Sequence, residues 1–242
     1  MLATPAPLVS IPPGQLRPLV PSLEPAKPIE VGAFRLERHA VTNTDFLAFV
    51  KAQPGWRRDR VKPLFAGPEF LGHWSAPLEV DGAHARAPVT RVSYFAARAY
   101  CGWRDRRLPT VAEWEYVAAA SASHADARAH PGFDKQVLDW TRKAAPEVPR
   151  AVESAGPNFY GVHDMHGLVW EWTSDFNSEL VATELGGDAS LVRNLFCGDH
   201  GSVVSDPADY AAFMRVAFRG SLEASYTVAN LGFRCAADED EP

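Results

Sequence analysis

The sequence has no basic stripe. Its 30 acidic side chains outnumber 24 Lys and Arg, and the net charge of −6 is spread over mixed signs. A nucleic-acid partner would find nothing electrostatic to grip, which excludes that class. Long apolar runs are missing too: no stretch approaches the roughly 20 residues a membrane-spanning helix needs. Met1-Leu2-Ala3-Thr4-Pro5 carries neither a basic n-region nor an apolar h-region, and a chain from which an export signal has been removed would read the same way. No charged or low-complexity linker divides the chain and no internal repeat of 20 to 50 residues appears, so one domain is expected. A phosphate-cradling glycine loop, a nucleophile elbow and a His-Glu-x-x-His pair are all absent.

What is present can bury a substantial core: 46% of the 242 residues are hydrophobic. Twenty prolines, many of them in the first 30 residues, make residues 1–30 an extended segment that wraps a domain spanning 31–242, since proline lacks an amide donor and fixes φ. Thr42-Asn43 before the apolar spacing of residues 45–50 predicts a short capped helix, and a second is predicted from Ser93 to Trp103. A third starts at a capping box, Thr110 and Glu113, with Pro109 ahead of it and Trp114 and Val117 turned to the core. Asp206-Pro207-Ala208-Asp209 announces a short helix through Phe213. Strands are predicted at 32–36, 89–92, 192–196, 215–219 and 232–236. Residues 121–155 read as loop. Short helices among scattered strands give an α+β class.

Three segments carry more specific information: Arg107-Leu108-Pro109-Thr110-Val111-Ala112-Glu113-Trp114-Glu115-Tyr116, Gly161 through Trp172 with its Trp170-Glu171-Trp172, and Asn230-Leu231-Gly232-Phe233-Arg234-Cys235. In this order, preceded by Ile11-Pro12-Pro13-Gly14 and Val41-Thr42-Asn43, they resemble the formylglycine-generating enzyme (sulfatase-modifying factor) family. The resemblance implies that family's single-domain, C-type-lectin-like fold with much irregular structure. It also implies that Cys101, in Tyr100-Cys101-Gly102-Trp103, bonds to Cys235, and hence an exported, periplasmic protein. The alternative is a pair of buried thiols in a cytoplasmic one.

Cys197 is then the odd thiol. The resemblance places it at the first of two cysteines, five positions apart, that bind copper(I) and activate oxygen in the family's active enzymes; Ser202 stands at the second. This alignment requires an insertion, filled by the helix from Pro207, and Arg193-Asn194-Leu195 replaces the family's serine-bearing segment. A serine cannot supply the soft second sulfur that two-coordinate copper(I) prefers. Cys197 and His200, on a glycine-flanked loop, remain a candidate copper site, and Cys197 the candidate catalytic residue. The resemblance further implies a calcium site of Asp164, Gly167, Val169 and Glu171, oxygen donors around a glycine turn; its alternative is a turn in which Glu171 pairs with an arginine. His163 and His166 are expected to face solvent, His39, His73 and His84 carry little weight, and Trp170 and Trp172 are expected in the core.

Three functions follow from these features. The first is an exported copper-handling accessory protein without formylglycine-generating activity, similar to a subgroup that accompanies bacterial copper nitrite reductases in denitrification and copper-delivery proteins. The second is a copper-dependent oxidase of a peptide or small molecule; the third is a metal-free binding module.

Overall fold

The computed structural model describes residues 6–17, 28–141, 148–176, 214–215 and 217–239. The described parts of the amino-terminal segment are built into sheets. Strand β1 (Leu8–Ile11) pairs antiparallel with β4 (Phe34–Glu37), which pairs on its other edge with β7 (Ala236–Asp238), giving the order β1-β4-β7. Leu36 lies opposite both Val9 and Ala236. Strands β2 (Gly14–Leu16) and β3 (Ile29–Val31) form a second antiparallel pair. A short parallel pair joins β5 (Trp170–Glu171) to β6 (Leu231–Gly232), so that two of the motifs quoted above sit side by side.

The helices begin where side-chain oxygens are available to cap them. Thr42 and Asp45 form a capping box for α1 (Asn43–Ala52), Ser93 caps α2 (Tyr94–Trp103), and Thr110 with Glu113 opens α3 (Val111–Ala118). Glu113 also takes two 2.7 Å bonds from Arg107, which fixes the entry to α3. The larger core packs Phe46, Phe49, Trp74, Tyr100, Trp172 and Phe233 between α1, α2 and the 230s, with the Cys101–Cys235 disulfide inside it. A smaller core places Trp114 and Val117 of α3 on Leu16, Val31 and Phe34. Gly232 is required where these layers meet, because a Cβ there would lie 2.6 Å from the carbonyl oxygen of Val89.

Several predicted elements differ. Residues 89–92 form no strand: Val89 and Arg91 donate to the carbonyls of Val41 and Val228, and Arg91 takes a left-handed φ of 53° that breaks the alternation. The predicted strand 232–236 splits into the end of β6 and the start of β7. Residues 215 and 217–219 are helical, because Arg215 and Arg219, four apart, share one helix face and reach one acceptor. The stretch read as loop contains α4 (Phe133–Thr141). The predicted strand 192–196 and the helix from Pro207 lie outside the described residues.

Candidate functional site

Cys197, His200 and Ser202 lie outside the described residues, but the structure places the chain on either side of 177–213. On the near side, Ser174 donates from its amide to the carbonyl of Pro109, and Asp175 Oδ1 accepts from the amide of Val111, the first residue of α3. Tyr94 donates its hydroxyl to the carbonyl of Ser174 and packs on Phe176 at 5.1 Å. On the far side, Arg215 and Arg219 both donate to Glu115, in the middle of α3, at 2.9 and 2.7 Å. Both flanks are therefore fastened to the same eight-residue helix. Burial alone would raise the pKa of Glu115; the two guanidinium groups outweigh it and hold the carboxyl at about 2. Arg219 also lies 4.8 Å over the ring of Trp114, so α3 grips it from two adjacent residues.

Beside this anchor, Trp170 is half-buried rather than fully enclosed, stacked on Phe218 at 4.5 Å and tilted against Trp140 at 4.9 Å, while Trp172 is buried as expected. His166 does not face solvent. Its Nε2 pairs with the carbonyl of Ala118 at 2.8 Å, its ring packs edge-on against Trp114 and Phe133, and burial lowers its pKa to about 4. His163 pairs with the carbonyl of Ala155. His39 bonds to the carbonyl of Ala40, His73 to Asn43, and His84 lies 3.8 Å from Asp81; none reaches toward a shared point.

Two of the expected calcium donors, Glu171 and the Gly167 carbonyl, are committed elsewhere. Glu171 accepts from Arg234 Nε and Nη2 and from the indole nitrogen of Trp114, each at 2.8 Å. Arg234 is itself fully buried and also donates to the carbonyls of Glu37 and His163. It places a permanent positive charge between Glu171 and the loop that begins at Asp164. Gly167, at a φ of 86°, gives its carbonyl to Arg150. Asp164 accepts from the amide of Glu153 on one oxygen, and its other, buried oxygen has no hydrogen-bond partner. Val169 is buried. With Arg150 3.8 Å from the remaining Asp164 oxygen and Arg234 on the second carboxylate, the donors as placed do not fit calcium. Among the described residues no three His, Cys, Asp or Glu side chains converge on a point that could hold a metal ion.

A second buried glutamate adjoins the disulfide. Glu37 accepts from the amide of Cys235 at 2.7 Å and from Arg106 at 2.5 Å. Burial prevails over both and pushes its pKa up to about 7. Neither Glu37 nor Glu115 stands out in the sequence as a site residue. The one available signal was the spacing of Arg215 and Arg219, which a helix turns into a two-pronged grip.

The comparisons with known proteins agree with this architecture. The model of the sulfatase-modifying factor enzyme 1-like domain matches residues 3–239. The formylglycine-generating enzyme of Streptomyces coelicolor is 32% identical over 262 residues, covering 89% of this chain and 82% of that protein. The mouse inactive C-alpha-formylglycine-generating enzyme 2 is 29% identical over 267 residues, covering 90% and 79%. Among solved structures, PvdO from Pseudomonas aeruginosa superimposes with a TM-score of 0.53 at 18% identity, over 96% of this chain and 94% of that one, and so shares the fold. No helix among the described residues is long and apolar enough to cross a membrane. The chain belongs to the sulfatase-modifying factor family, the family of the formylglycine-generating enzymes.

Proposed function

We propose that this protein keeps the family scaffold without the paired-thiolate chemistry, and that it handles copper(I) through Cys197 as an accessory protein of an exported copper pathway. One observation supports the first half: of the three cysteines in the chain, two are consumed by the Cys101–Cys235 bond. A single thiol is left. A centre with two thiolates from one chain cannot be assembled from it, and formylglycine synthesis by that route is lost. The remaining thiolate is a soft ligand, and His200, three residues on, supplies an imidazole of borderline softness; both suit copper(I). Periplasmic residence, which the disulfide favours, and service to a copper enzyme or copper-delivery protein complete the reading.

The test is a competition titration against a copper(I) chelator with wild type and Cys197→Ser, run beside an assay for aldehyde formation on a Cys-x-Pro-x-Arg peptide. The reading expects copper affinity that rises with pH until the thiol is ionised, its loss in the variant, and no aldehyde. Equal affinity in both proteins would remove copper from the proposal, and aldehyde formed by wild type would overturn the loss of activity.

A further inference from the structure

The most exposed large apolar side chain among the described residues is Leu64, at 75% exposure, and its neighbour Phe65 is 36% exposed. They stand at a turn closed by the Phe65 amide on the carbonyl of Lys62. The turn is fastened from below: Phe65 packs against Trp56 at 6.2 Å and edge-on against Phe95 at 5.5 Å, and Trp56 in turn contacts core residue Phe49. Leu64 and part of the Phe65 ring are thus held out from a base of packed aromatic rings.

The charges just before them form a short basic run. Residues 57–62 read Arg-Arg-Asp-Arg-Val-Lys, four cations and one carboxylate in a protein whose net charge is −6. Arg57 is paired with Asp59, and Arg58 donates to the carbonyls of Leu71 and Trp74. Arg60 and Lys62 are exposed and make no ion pair with any described residue. Two cations without an ion pair among the described residues therefore precede the apolar tip.

We propose that this turn docks the protein on an anionic membrane surface, with Leu64 and Phe65 entering the acyl boundary and Arg60 and Lys62 meeting lipid phosphates. A bilayer offers apolar depth immediately beneath a layer of negative charge, the arrangement this tip complements. Leu64 is exposed at a turn, and a fluid lipid surface accepts such a side chain without a preformed socket. The cations keep their heads at the phosphate level while their stems lie along apolar chains.

The experiment is co-sedimentation of the full chain with vesicles of phosphatidylcholine alone and of phosphatidylcholine mixed with phosphatidylglycerol. Wild type is expected to sediment with the mixed vesicles, weakly with the neutral ones, and less as salt rises. Leu64→Ser and the double variant Arg60→Glu/Lys62→Glu should each weaken binding by at least about tenfold, with melting temperatures like wild type because these side chains are exposed. Absence of sedimentation with mixed vesicles overturns the proposal. So does full binding by Leu64→Ser, which would place the contact elsewhere. Self-association that depends on Leu64, without vesicle binding, would also overturn it and assign the turn to a second copy of the chain.

Discussion

Arg234 grips Glu171 through two nitrogens, both at 2.8 Å, in a place where neither side chain sees solvent. A buried pair of this kind is costly to break from one side, because the partner left behind is an unpaired charge in a dry core. Arg234→Met should therefore lower stability by about 3–5 kcal/mol in urea unfolding. Adding Glu171→Gln should restore part of the loss. A double variant no more stable than Arg234→Met would show that the arginine acts mainly through its backbone acceptors.

The same pair bears on calcium. Since Arg234 already neutralises Glu171 and Arg150 holds the Gly167 carbonyl, the melting temperature is expected to be the same with and without a calcium chelator. Calcium bound only to the native state would stabilise it by mass action. A fall on chelation would therefore show that the loop opens to take the ion.

Glu115 and Glu37 should give opposite pH signatures. The folded pKa of Glu115, about 2, lies below its ordinary value of 4.5. Its contribution is present above pH 4.5 and is lost as pH falls toward 2. In urea titrations, wild type should lose on the order of 3 kcal/mol more than Glu115→Gln over that window.

Glu37 runs the other way. Its folded pKa, near 7 against an ordinary 4.5, means that the native state holds an extra proton between those values. Stability linked to it is complete below pH 4.5 and is lost as pH rises through 7. Glu37→Gln should flatten this loss while leaving the acid limb set by Glu115 in place. An unchanged slope between pH 4.5 and 7 would show that Arg106 keeps Glu37 ionised in the fold.

Removing the disulfide by Cys101→Ala/Cys235→Ala should cost about 2–5 kcal/mol, because the bond closes a long loop in the unfolded chain. The two residues are 134 positions apart. Peptide mapping without reductant should recover the two cysteine peptides joined.

How far the sequence reached depended on how local each signal is. The capping box at Thr110 and Glu113 is complete within four residues, and its helix was legible. The Cys101–Cys235 bond was legible only through resemblance, since spacing alone says nothing of which thiols meet. Arg215 and Arg219 misled because a separation of four fits both a strand's period of two and a helix's turn; Glu115, a hundred residues away, decides between them. Helix α4 has Phe133, Val137 and Trp140 at helical spacing, but Pro131-Gly132 and a polar surround made a nine-residue pattern look like loop. Residues 89–92 carry three β-branched side chains, Val89, Thr90 and Val92, yet their backbone hydrogen bonds go to the distant chain at 41 and 228. The Asp164 to Glu171 segment supplied the right residue types for an ion. The alternative read from that segment, a turn with Glu171 paired to an arginine, is the arrangement found, and only the fold identifies the partner as Arg234.

The cross-link between residues 101 and 235 also makes this chain unusually simple to label. With those two sulfurs joined, a maleimide dye or spin label added without reductant has one position to react with. A stoichiometry of one then reports on Cys197 in the unaltered protein, and any covalent dimer seen on a non-reducing gel must pass through that same sulfur.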